Sequence, residues 1–191
     1  MHDLLLYHFT NTSMKSQYEK IKSVLDHASH LSHVDKSLLK KFFNRLEQGN
    51  LVRDENPDDH FSTFFIPFVQ KTKQLFIGDH IKSGVWLTPG GHIDKGEDPV
   101  ETVVREIKEE LDTEVTDKNV EFFDISITDI SSHYPCKRHY DLWYLFRLPE
   151  STAFNYTREE YKIAQWMSVG KAIRRLTNVG QKSVIEKLSN T

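Results

Sequence analysis

One cysteine, Cys136, stands in a chain of 191 residues, so no internal disulfide framework can form and a reducing compartment is expected. Eight glycines and six prolines are too few for a collagen-like or low-complexity chain. There is no basic excess: 25 Lys+Arg face 28 Asp+Glu, a net charge of -3, so no nucleic-acid partner is expected. No apolar run approaches the ~20 residues of a membrane span. Leu4-Leu5-Leu6-Tyr7 is too short for a signal-peptide core and lacks a basic lead. The chain reads as a cytoplasmic protein with no membrane partner. Its 38% of hydrophobic residues is enough to build a packed core at the length of one domain.

The first ~60 residues carry helical periodicity. Ile21, Val24, Leu25 and Ala28 recur at helical spacing. Asp35 can cap a second helix with the stripe Leu38, Leu39, Phe42, Phe43 and Leu46, and Gly49 suits its stop. Asn56-Pro57-Asp58-Asp59 reads as a turn. Strand texture follows at 61–69, where Pro67 argues for an edge or a bulge. Further strands are expected at 74–78, 84–88, 120–130, 140–148 and 164–169, and closing helices at 171–176 and 181–188. Strands and helices interleave, so the class is α/β or α+β with one mixed sheet.

The segment 91–113 carries the chemistry. Asp98 is a capping residue, Pro99 fits the first helical position, and Glu101 completes a capping box. Val100, Val103, Val104, Ile107 and Leu111 form one apolar face. Glu106, Glu109 and Glu110, at i, i+3 and i+4, share another, with Arg105 beside them and Glu97 just ahead. Carboxylates crowded on one patch repel, and solvation, protonation or a divalent cation relieves them. Magnesium takes oxygen ligands and keeps water and substrate phosphates, so the patch reads as half of a coordination site. A solvated acidic face is the alternative.

The spacing decides between them. Gly91, Glu97, Arg105, Glu106, Ile107, Glu109 and Glu110 stand as Gly, five residues, Glu, seven residues, Arg-Glu-apolar, one residue, Glu-Glu. This resembles the signature of the Nudix hydrolases. At roughly 6% usage per residue type, six exact matches have a chance on the order of one in ten million per start position. The lead-in Trp86-Leu87-Thr88-Pro89-Gly90-Gly91-His92 resembles members of the same family. Asp112 and Thr113 depart from the glycine and apolar residue expected after the last glutamates.

The resemblance implies a mixed sheet between helices, with residues 59–191 as the Nudix domain and 1–58 as an N-terminal helical extension. It implies hydrolysis of a pyrophosphate bond in a nucleoside diphosphate derivative or nucleoside triphosphate, with magnesium or manganese. Glu106, Glu109 and Glu110 would bind metal, helped by the carbonyl of Gly91 or Gly90. Arg105 would orient a glutamate, and Glu97 would brace Arg105. The general base would be Glu106 or Glu109, or an outside carboxylate such as Glu159 or Glu160, which can equally be exposed loop charges. The partner would be a small nucleotide-type substrate, and the N-terminal helices could serve a homodimer. A regulator that binds nucleotide without turnover and an isopentenyl diphosphate isomerase-like enzyme are the alternatives.

Other polar residues stand outside that signature. Alternation puts His139, Asp141 and Trp143 on one strand face, able to meet a base, ribose or phosphate, with His133 nearby. The opposite face takes Tyr140, Leu142, Tyr144 and Phe146. His27, His30 and His33 lack a ligand shell and read as surface histidines. Cys136 reads as a plain loop cysteine.

Overall fold

The computed structural model describes residues 15–130 and 135–190. Helix α1 (Gln17–His30) opens on Ser16, whose hydroxyl accepts from the Glu19 backbone while the Glu19 carboxylate accepts from the Ser16 backbone at 2.7 Å. That reciprocal cap satisfies two N–H groups the helix start leaves free. Ile21, Leu25 and Ala28 face inward. Helix α2 (Lys36–Leu46) is capped by Asp35 as expected, and buries Leu39, Phe42 and Leu46. The chain leaves it through Gly49 in a left-handed conformation. Arg45, on the same helix, was not anticipated as interior. It is 1% exposed, and its guanidinium meets the Asp59 carboxylate and the carbonyls of Gly49, Asn50 and Asp59.

The strands are β1 (Asp59–Val69), β2 (Gln74–His80), β3 (Trp86–Leu87), β4 (Gly90–His92), β5 (Val120–Asp129), β6 (Arg138–Arg147) and β7 (Tyr161–Ser168). They form one mixed sheet in the order β3-β2-β1-β6-β5, with β4 also on β1 and β7 on β2. β1 and β6 run parallel, and the other pairs are antiparallel. The remaining helices are α3 (Pro99–Leu111), α4 (Val169–Arg175) and α5 (Val179–Lys187).

Neighbouring residues of a strand face opposite ways, so each long strand serves two cores. Phe61, Phe65, Leu142 and Tyr144 pack with α1, α2 and the Val103–Ile107–Leu111 face of α3. Ile66, Phe68, Trp143 and Leu145 pack with Ala172 of α4 and Val184 and Ile185 of α5. The sheet therefore lies between two helical layers, as the resemblance implies. Among the described residues no helix is long and apolar enough to cross a membrane.

Pro67 is the exception to the strand reading. β1 is an interior strand, paired with β6 along residues 59–68. Phe65 donates its N–H to the Pro89 carbonyl, away from β6, so alternation directs position 67 to that same side. There the β4 pairing ends at Phe64 and the β2 pairing begins at Phe68. The missing donor falls in the gap between two partners, where no ladder bond is lost.

Candidate active site

Helix α3 displays the carboxylates. Asp98 accepts from the Val100 backbone, and Glu101 reaches back to the Asp98 N–H at 2.8 Å. With Pro99 in the first turn, the helix start is fixed. It ends after Leu111, where Asp112 is left-handed at φ 49, ψ 43. The Asp112 carboxylate accepts from Lys108 at 2.9 Å and from Asn155 at 3.2 Å.

Arg105 uses its whole fork. Nε and Nη2 donate to the two oxygens of Glu97 at 3.0 and 3.1 Å. Nη1 donates to Glu106 at 2.8 Å and Glu109 at 3.3 Å, and Nη2 also donates to the His92 carbonyl at 3.1 Å. One planar cation thus ties the helix to the loop before it and to β4. Burial of Glu97 is outweighed by Arg105 and Thr102, which hold its carboxyl below the usual range. Helix α1 grips the same loop: Gln17 donates to the Glu97 carbonyl at 3.0 Å and accepts from the Gly96 N–H at 2.8 Å, and Lys20 donates to the Gly96 carbonyl at 2.6 Å.

The three glutamates occupy different environments. Glu109 is 57% exposed. Glu106 lies against β4, where a Cβ on Gly91 would come within 1.8 Å of its Oε1, so only glycine permits that approach. Burial raises its pKa, opposed by Arg105. Glu110 is deeper, 6% exposed, and accepts from the Gly90 N–H and the Tyr161 hydroxyl. Burial, reinforced by Glu106, pushes it up to about 8 despite those donors. Tyr161 was not anticipated, since it is one aromatic of a strand whose face toward the site shows only in three dimensions.

The outer candidates separate. Glu159 is exposed, and Glu160 is held by His80 at 2.9 Å and Lys82 at 2.6 Å. Burial raises the Glu160 pKa, but those two partners bring it below its ordinary value. Asp141 is withdrawn into the sheet. It is wholly buried and accepts from Ser62, Thr128 and Ser126 at 2.7, 2.6 and 2.9 Å, joining β1, β5 and β6. Burial lifts its pKa to about 7 against the three hydroxyls. Trp143 is equally buried and donates to Ser126 at 2.8 Å. Asp141 and Trp143 of the expected polar-aromatic face are therefore interior, while His139 is half-buried.

His133 lies outside the described residues. His27 packs edge-on to Phe122, and His33 meets the Phe123 carbonyl at 2.6 Å, both on exposed positions. Cys136 is not a plain loop cysteine. It is buried beside His60, His92 and His139, with one ligand atom from each of the four within 4.8 Å of all the others. Burial, and for His92 the neighbouring His139, pulls the His92 and His139 pKa values down to about 3. His60 is lowered too, again through burial.

Comparison with known proteins places the fold. The NUDIX domain profile matches residues 43–188. The chain belongs to the NUDIX domain family. An RNA pyrophosphohydrolase of Gluconacetobacter diazotrophicus is 44% identical over 45 residues, 24% of this chain and 27% of that protein. The chain thus matches about a quarter of the length of that curated relative. Among solved structures, the E. coli dihydroneopterin triphosphate pyrophosphohydrolase superposes with a TM-score of 0.61 at 21% identity, covering 69% of this chain and 96% of that one. A MutT protein from Methanosarcina mazei Go1 superposes at 0.54 with 16% identity, covering 70% and 94%. These likenesses establish the fold.

Proposed function

We infer that the chain is a metal-dependent pyrophosphohydrolase acting on a small nucleotide-type substrate, a nucleoside triphosphate or a nucleoside diphosphate derivative. One observation carries the reading: Glu106 against Gly91, Glu110 bonded to the Gly90 N–H and the exposed Glu109 share a helix whose Arg105 is locked to Glu97 and to the His92 carbonyl. The names of two relatives, the RNA and the dihydroneopterin triphosphate pyrophosphohydrolases, support the same reaction.

The donor set fits a hard divalent cation. Two of the three carboxylates are largely buried, and burial raises both, with Glu106 adding to the shift of Glu110 and Glu109 to that of Glu106, a cost that a cation among oxygen ligands relieves. Glu106, Glu109 and Glu110, with the carbonyl of Gly91 or Gly90, would hold magnesium or manganese. Bound there, the ion supplies charge neutralisation on the phosphates and acidifies a coordinated water. Glu106 would take the proton of the attacking water through an oxygen the metal leaves free, because Arg105 fixes its orientation, with Glu109 the other candidate base. Arg105 positions Glu106 and Glu109 at once. Glu160 is a poor base, since Lys82 and His80 already hold its oxygens.

The test uses the full chain with magnesium or with chelator, on nucleoside triphosphates, nucleoside diphosphate sugars, ADP-ribose and dinucleoside polyphosphates, in 18O-water with products identified by mass. Magnesium-dependent cleavage of the pyrophosphate bond, with one 18O entering one of the two phosphate products, is expected. Tight nucleotide binding with no turnover across the panel would overturn it in favour of a regulator.

A further inference from the structure

We propose that His60, His92, Cys136 and His139 form a second metal site, a closed three-histidine, one-cysteine centre for zinc. It is separate from the glutamate site of α3. His60 and His139 are register partners on β1 and β6, and His92 faces Ser62, the next same-face residue of β1. The three imidazoles thus project from three adjacent strands on one face. Cys136 closes the group from the segment entering β6. Along β4, Gly91 is turned toward Glu106 and His92 to the opposite side, so the sheet separates the two sites.

The spacing suits tetrahedral zinc. Zinc bonds of about 2.0–2.1 Å to nitrogen and about 2.3 Å to sulfur give tetrahedron edges of about 3.3 Å between nitrogens and about 3.6 Å between nitrogen and sulfur. The Nε2 atoms of His92 and His139 lie 3.4 Å apart, and Cys136 Sγ lies 3.8 Å from His92 Nε2. The His60 ring centroid is 5.0 Å from that of His92 and 4.7 Å from that of His139.

His60 supplies an independent observation. Its Nδ1 donates to the Asn56 carbonyl at 2.9 Å, which fixes the tautomer and leaves the lone pair on Nε2. That atom is buried with no hydrogen-bond partner, in a residue with 0% exposure. An orphaned acceptor aimed at two further imidazoles and a thiol is costly unless something electrophilic sits between them. A ligand histidine held through its other nitrogen by a carbonyl is the usual support for bound metal. Thiolate with imidazole selects zinc over magnesium. Four protein ligands leave no open position, so the role is structural: the ion would fasten the entry of β6 to β1 and to the end of β4. Arg53, exposed, donates to His92 Nδ1 at 3.2 Å and must swing away so that this nitrogen can carry the proton.

The experiment measures metal on the purified full chain by plasma mass spectrometry after desalting, then replaces it with cobalt(II) for visible spectroscopy. One retained zinc is expected per chain, both in the parent and in a Glu109→Gln, Glu110→Gln double variant. The cobalt form should show tetrahedral bands with a thiolate charge-transfer band. Cys136→Ser should abolish that band, and His60→Asn should weaken zinc retention at least ~10-fold. Should these variants fail to fold, the parent spectrum still decides: an octahedral, thiolate-free cobalt spectrum in the folded parent overturns the proposal. So does zinc that is lost with the two glutamates. Because zinc retention is read without turnover, the outcome is independent of the pyrophosphohydrolase reading.

Discussion

Replacing Glu110 by glutamine should stabilise the metal-free protein while disabling it. Burial raises the Glu110 pKa from 4.5 to about 8, so the folded state holds a proton that the unfolded chain releases. Where the unfolded state binds fewer protons, stability falls as pH rises. The fall begins near the unfolded value of 4.5 and is complete above about 8. At about 1.4 kcal/mol per pH unit, the cost is about 3 kcal/mol at pH 7 and about 5 kcal/mol above pH 8. Glutamine does not titrate. Its amide, however, cannot accept from both the Gly90 N–H and the Tyr161 hydroxyl as the two carboxylate oxygens do, a loss of about 1 kcal/mol. In chelator the two stability curves should therefore meet near pH 5 and diverge with rising pH, the variant ahead by about 2 kcal/mol at pH 7. Urea denaturation at a series of pH values, at constant slope, measures this. Magnesium should stabilise the parent increasingly with pH, because binding expels the Glu110 proton, and should stabilise the variant far less. Parallel pH profiles for parent and variant would refute the buried, protonated Glu110.

Arg105→Lys should lower kcat by ~100-fold or more with chain integrity kept, because a point-charge ammonium cannot hold Glu97, Glu106 and the His92 carbonyl together; steady-state kinetics checks it. Arg45→Ala should destabilise by about 3–5 kcal/mol by leaving Asp59 and three carbonyls without their donor, whereas Arg45→Met should cost less; thermal denaturation ranks them. Asp112→Gly should exceed Asp112→Ala in stability by about 1 kcal/mol, because both lose the contacts to Lys108 and Asn155 but only glycine adopts the left-handed exit freely; denaturation midpoints compare them.

The helix of the site was legible because its pattern is local. Glu106, Glu109 and Glu110 must share a helix face, and Asp98, Pro99 and Glu101 must start that helix, so spacing carries the information. The same holds for the Asp35 cap and the buried stripe of α2. Alternation along β6 was equally readable, with Tyr140, Leu142 and Tyr144 in one core and Trp143 and Leu145 in the other. What alternation cannot give is whether the polar members of a face meet water or protein. Asp141 illustrates this, since its partners arrive from β1 and β5. The His60, His92, Cys136 and His139 group was hidden for a related reason. Its members come from three strands and a loop, without the short spacing that marks a zinc motif in sequence. Pro67 misled because a gap between two neighbouring strands mimics an edge.

Helix α1 lies wholly before residue 43, where the family match begins, yet Ile21, Leu25 and Ala28 share one core with Val103 and Ile107 of α3. Burying those three side chains is worth on the order of 5 kcal/mol, a large part of what a domain of this size has in hand. Where resemblance to relatives starts is thus not where this molecule could be cut. A fragment beginning at residue 43 would expose the back of α3 and release Gln17 and Lys20 from the loop at Gly96. Fraying at the amino-terminal end would be felt as misplacement of Glu97 and, through it, of Arg105.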